Sequence, residues 1–338
     1  MKKLKHLIWF ACSVLFVSCA VHNIPTTAKP NLHVQPNITT AFVDLNGNFY
    51  PDNWEQVIGP YERTSSLFLT AQKKSILPVL MGFEKQKLAE YNNTLKSKKR
   101  VFIFVHGYNN SAADSKINYD NLQKKLPIDP VNDEIVEFYW DGLVADNSLS
   151  SAKIWFNATG YSQMAGEFAL RSILNEIHNK DIYIISHSRG ASVVLSALSN
   201  PPFDPHFFRD TAALGIPIGN KVPLAENGNR IVCIMLAPAI GEIDFTQENN
   251  INNFRSFSGQ LKAIHITINQ NDPVLNKFIG LAGHFNPTTL GHDISAFNNL
   301  LPTYSYLTYD DFTGQHGHAF QLYLDNPKFL NMVKKYIH

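Results

Sequence analysis

The chain has few cysteines, little charge and few long apolar runs, and each shortage excludes something. Three cysteines, Cys12, Cys19 and Cys233, cannot form a disulfide framework. Charged residues make up 17% of the 338, with 29 basic against 28 acidic, and no long block of one sign occurs. Such a balance gives no sequence-wide field to attract nucleic acid, so that class of partner is set aside. No internal repeat and no low-complexity tract interrupts the chain. The opening apolar stretch, residues 7–17, is shorter than the ~20 residues needed to cross a bilayer, which makes a retained transmembrane helix the weaker reading.

An apolar content of 44% is enough to bury a sizeable core, and the length suits one large α/β domain better than two small ones. Lys2, Lys3 and Lys5, the apolar run after them, and then Ser18-Cys19 have the layout of a secretory signal over residues 1–18. The tetrad Phe16-Val17-Ser18-Cys19 resembles a bacterial lipobox, with Phe16 where Leu is usual. The resemblance implies cleavage before Cys19 and acylation of its thiol, as in palmitate-carrying lipoproteins, and hence a protein tethered to a bacterial membrane and facing the periplasm or exterior. Ordinary secretion is the alternative. Cys12 would leave with the signal, and Cys233, inside an apolar run, reads as a small buried hydrophobe. Residues 19–40 are polar, contain proline and lack apolar periodicity, which predicts a flexible tether and a folded domain over 41–338.

Within that domain, short apolar runs alternate with amphipathic ones, the pattern of βαβ units around a mostly parallel sheet with helices on both faces. Residues 101–105 (VFIFV) suit a strand buried on both sides. Further strands are expected at 135–140, 182–185, 231–236, 264–268 and 304–308. Helices are expected at 111–126, with Ser111 and Asp114 at capping spacing, and at 162–178, 191–198 and 319–337. Two long segments rich in Pro, Gly and Phe, 201–229 and 273–302, read as lids over a site, with completion of the core as the plainer alternative.

The chemistry centres on Ser186-His187-Ser188-Arg189-Gly190. A serine hydroxyl is a poor nucleophile at neutral pH and needs a base, an orienting acid and donors for the oxyanion. Ser188 stands between an apolar strand (IYII) and a helix (ASVVLSAL), where a tight turn lifts its hydroxyl above the strand ends. Such a turn demands small residues two before and two after the serine; here they are Ser186, where glycine is usual, and Gly190. His106-Gly107-Tyr108 follows the VFIFV strand, and Gly107 allows close approach of the backbone to a substrate. His106 reads as a residue that orients this loop.

Together the segments V-H-G-Y-N-N, S-H-S-R-G, A-P-A-I-G and N-D-P-V-L resemble the α/β-hydrolase superfamily, in particular bacterial lipase- or esterase-like serine hydrolases. The likeness runs from about residue 100 to the C-terminus. It implies oxyanion donors at the backbone N–H groups of Tyr108 and Arg189, and a triad in the order Ser, acid, His. Asp272, after the 264–268 strand, is the first choice for the acid, and Asp244, after the 231–236 strand, is the rival. For the base, His318 is favoured over His316. The function implied is cleavage of carboxylic esters on small molecules or lipids through an acyl-enzyme.

No cofactor is implied. Thirteen histidines invite a metal site, but their spacing matches no compact ligand motif such as H-E-x-x-H. Two other functions fit the same residues: acyl transfer, which differs only in what attacks the acyl-enzyme, and a surface-anchored binding protein that keeps the scaffold without the chemistry.

Overall fold

The computed structural model describes residues 20–25, 37–58, 74–145, 148–202, 222–247, 250–276 and 287–338. In chain order the strands are β1 (Ala20–Val21), β2 (Ile38–Phe42), β3 (Arg100–Val105), β4 (Asp133–Tyr139), β5 (Val144–Ala145), β6 (Asp181–His187), β7 (Arg230–Leu236), β8 (Thr246–Gln247), β9 (Asn250–Phe254), β10 (Leu261–Ile268) and β11 (Leu307–Asp311). Seven of them form one sheet in the order β11-β10-β7-β6-β3-β4-β2, and every neighbouring pair is parallel.

A parallel sheet needs cover on both faces, and the strand sequences supply apolar side chains to both. Along β3, Val101, Ile103 and Val105 point to one layer of the core, shared with Ala165, Ala169, Ile173, Val193 and Val194. Phe102 and Phe104 point to the other, shared with Tyr119, Leu122, Tyr323, Phe329 and Met332. The first layer is covered by α4 (Ser148–Met164), which continues through a π-helical turn, Ala165–Leu170, into α5 (Arg171–Asn175), and by α6 (Gly190–Leu198). The second is covered by α3 (Ala112–Gln123), α8 (Phe320–Asp325) and α9 (Pro327–Tyr336). The other α-helices of the described residues are α1 (Trp54–Ile58), α2 (Leu77–Leu95) and α7 (Ile294–Leu300). Ser111 caps α3 by accepting the N–H of Asp114 at 3.1 Å, as its spacing suggests.

Chain order reverses between β3 and β6: β4 lies to one side of β3, and β6 with β7 to the other. In open parallel sheets the crevice at such a switch point, outside the carboxyl ends of the strands, is where ligands bind. His106 follows β3 and Ser188 follows β6, so both candidate loops lie there.

Several boundaries differ from the sequence expectation. The last helix is two, because Pro327 cannot continue the ladder and Asn326 caps a new start by accepting the N–H of Lys328. The helix expected at 162–178 begins at Ser148, and the last strand lies at Leu307–Asp311 instead of 304–308.

The expected tether is ordered at both described ends. β1 pairs antiparallel with β5, Ala20 opposite Ala145 and Val21 opposite Val144, while β2 pairs with β4. Local composition hid this, because the contacts that fix residues 20–25 come from the loops after β3 and β4. Cys19 lies outside the described residues, as do the lid stretches 203–221 and 277–286. Of the described lid residues, Leu224, Leu275, Leu290 and Phe297 are buried in the core. Among the described residues no helix is long and apolar enough to cross a membrane.

Candidate active site

Ser188 occupies the turn between β6 and α6 with φ +51°, a left-handed conformation that costs a non-glycine residue about 1–3 kcal/mol. The turn is held from both sides, since Ser188 N–H donates to Leu236 O at 2.9 Å and Ser188 O accepts the N–H of Ala191 and of Ala239. Gly190 is needed for a reason other than contact with Ser186. A Cβ there would lie 2.6 Å from His106 O and 2.7 Å from Val105 O, so the elbow packs directly on the end of β3. Ser186 is fully buried.

His318 is brought to this serine from the loop after β11. Ser188 Oγ–H donates to His318 Nε2 at 2.9 Å, and His318 Nδ1–H donates to Asp272 Oδ2 at 2.9 Å. Asp272 is fully buried in the turn after β10. Burial alone would raise its pKa, but the hydrogen bond and charge attraction of His318, with the N–H groups of Leu275 and Val274 on Oδ1, outweigh it and hold the carboxyl below its ordinary value. Tyr323 OH adds a further donor to Oδ2 at 3.0 Å.

The rival candidates lie elsewhere. His316 is exposed. Asp244 is buried at the short 3₁₀ turn Glu242–Phe245, where its Oδ2 accepts the N–H of Gly241 at 2.8 Å and its charge faces Arg189 and Arg255.

The loop after β3 runs against Ser188. A Cβ on Gly107 would lie 2.9 Å from Ser188 Cβ, so only glycine fits. Among the described residues neither Tyr108 N–H nor Arg189 N–H donates to a protein acceptor. The side chain of Arg189 is fully buried. Its Nη2 donates to Pro287 O at 3.1 Å, and burial, partly offset by Asp244 and Tyr108, lowers its pKa to about 10.

With this geometry stands one match. Residues 83–276 fit the family described as alpha/beta hydrolase of unknown function (DUF900). The chain belongs to this family. No curated protein matches it. The matched stretch holds Ser188 and Asp272, while His318 lies beyond it.

Two buried histidines complete this α/β-hydrolase site. The main-chain N–H of Trp140 donates to His106 Nε2 at 3.1 Å, so Nδ1 carries the proton and donates to Gly107 O at 2.7 Å. The indole of Trp140 stacks on the imidazole, and burial lowers the pKa of His106 to about 4, which keeps it neutral. His187 Nε2–H donates to His318 O at 2.8 Å, and burial together with the nearby His318 lowers its pKa to about 3. His187 and Tyr323 were not singled out in the sequence. One signal was available for His187, its place directly before the serine; Tyr323 shows only as a residue of the last apolar helical run.

Proposed function

We propose that this chain is a serine hydrolase that cleaves carboxylic esters, using Ser188 as nucleophile, His318 as base, Asp272 as orienting acid and the N–H groups of Tyr108 and Arg189 as oxyanion donors. The observation that carries the reading is the unbroken chain of two 2.9 Å hydrogen bonds from Ser188 Oγ through His318 to a buried Asp272 carboxylate. We further propose that the protein is held at a bacterial membrane by a lipid on Cys19.

As the Oγ–C bond forms, the Ser188 proton passes to His318 Nε2, and Asp272 stabilises the resulting imidazolium. The carbonyl oxygen takes up negative charge and is met by two N–H donors whose positions are already fixed, one by the elbow and one by the loop after β3. Collapse of the tetrahedral intermediate breaks the bond to the alcohol oxygen, which leaves with the proton from His318. Water, losing its proton to the same nitrogen, then cleaves the acyl-enzyme and restores the serine.

The neutral state of His187 supports this cycle. A second imidazolium packed against His318, with ring centroids 5.0 Å apart, would oppose charging of the base. Turnover of short-chain p-nitrophenyl esters tests the proposal: the native protein should hydrolyse them, and equal rates for Ser188→Ala would contradict it.

A further inference from the structure

Four residues after Cys19, Asn23 is tied to the loop that carries the proposed oxyanion donor, and the residues around it pack on neighbouring segments. Asn23 Nδ2 donates to Asn110 O at 3.3 Å, and Asn23 Oδ1 accepts the N–H of Ala112, the first residue of α3, at 2.9 Å. Asp141 Oδ1 accepts the N–H of Asn23 at 2.9 Å, and Asp141 Oδ2 pairs with His22 Nδ1 at 2.5 Å. Ile24 is buried with Tyr50, Trp54 and Leu80. On the other side of the segment, Ala145 lies opposite Ala20, and its N–H donates at 2.8 Å to Oδ1 of Asn109, the neighbour of Tyr108.

Cys19 is one peptide bond from Ala20, and Ala20 is itself paired with Ala145, antiparallel partners lying about 5 Å apart between Cα atoms, so a single residue separates the point of attachment from this pair. Little slack therefore remains between a lipid on Cys19 and the rim formed by Asn109, Val144 and Ala145. All three lie beyond the carboxyl ends of β3 and β4, the end of the sheet at which Ser188 stands. Acyl chains on Cys19 that enter a bilayer must bring this end of the molecule down onto it.

We infer that the lipid anchor docks the mouth of the Ser188 site against the membrane, and that the substrate is an acyl ester resident in the bilayer interface and not one free in solution. This inference rests on the ester-hydrolase and Cys19-lipid readings above and assigns them a substrate class.

The test uses the full-length protein in phosphatidylcholine–phosphatidylglycerol vesicles, with an environment-sensitive fluorophore on Ala145→Cys or on Val131→Cys. Val131 is exposed in the turn before β4, at the opposite end of the sheet. Spin-labelled lipids should quench the label at 145 several-fold more than the label at 131, and equal quenching would overturn the docking. Mass spectrometry of the N-terminal peptide should show acylated Cys19; an unmodified thiol would overturn the membrane inference and leave the esterase reading standing.

A flexible Gly/Ser linker of about 20 residues between Cys19 and Ala20, with a typical end-to-end distance of about 25 Å, releases the site from the surface. It should lower turnover of a vesicle-embedded fluorogenic ester at least about tenfold, or about 1.4 kcal/mol, relative to a soluble p-nitrophenyl ester. An unchanged ratio would overturn the substrate class. Asymmetric quenching without Ser188-dependent turnover of either ester would sink the esterase reading and leave the docking intact.

Discussion

His106 Nδ1 lies 2.7 Å from the carbonyl oxygen of Gly107, and that carbonyl shares its peptide with the N–H of Tyr108. In a planar trans peptide the two groups point in opposite directions. Holding the oxygen towards the imidazole therefore turns the Tyr108 N–H the other way, and the Gly107 backbone lies against Ser188. Trp140 locks the imidazole through its N–H on Nε2, its indole N–H on His106 O at 2.8 Å, and stacking. On this account His106 positions an oxyanion donor without touching the substrate. His106→Ala should lower kcat by about 10- to 100-fold with little change in KM, because complete loss of one such donor costs about 10² to 10³. Measuring kcat and KM separately checks this; a rise in KM alone would show a binding role instead.

Asp272 and Asp244 should separate cleanly. Asp272→Asn removes the carboxylate that sets the tautomer of His318, and turnover should fall by about 10⁴. Asp244→Asn should alter turnover less than about fivefold, but cost roughly 1–3 kcal/mol in stability, since buried Arg189 and Arg255 then face a neutral amide. His316→Ala should do neither, its side chain being exposed. Ester kinetics and urea unfolding on the three variants give both readings.

Acid should weaken the fold well above the usual carboxylate range. His106 and His187 have folded-state pKa values of about 4 and about 3, below the ordinary 6.5, both mainly because burial disfavours the charged form. Above pH 6.5 both folded and unfolded chains hold them neutral. As pH falls below that value, the unfolded chain binds protons that the folded one refuses, and each histidine removes up to about 1.4 kcal/mol per pH unit until its folded pKa is reached. Asp272, with its carboxyl held low, acts in the same direction but only near and below about pH 4. His22 opposes them: burial would lower its pKa, yet Asp141 raises it, so its contribution is full in acid and lost as pH rises through the folded value. Urea midpoints should fall steadily from pH 6.5 to 4, and less steeply in His187→Asn.

The turn that carries Ser188 was legible because its signal is local: a strand, a tight turn and a helix within about 17 residues. The parallel sheet was legible for a similar reason, since β3 and β6 are apolar on both faces. The partners were harder. Asp244 and Asp272 follow β7 and β10, which are adjacent strands, and only the path of the loop after β11 decides which carboxylate a late histidine meets. His316 and His318 flank Gly317, whose φ of +109° turns the chain so that one ring points to Ser188 and the other to solvent. The N-terminal segment misled for the opposite reason. It has no periodicity because its order comes from His22 and Asn23 bonding to groups about 90 to 120 positions away, which no local pattern records.

The central claim is that Ser188 is an activated nucleophile, and covalent labelling tests it most directly. A fluorophosphonate should modify the folded native protein once, with the added mass on the peptide that contains Ser188. The rate should fall by at least about 10³ in His318→Ala, because the hydroxyl then loses its base. Labelling that persists in Ser188→Ala, or an adduct on another residue, would contradict the account.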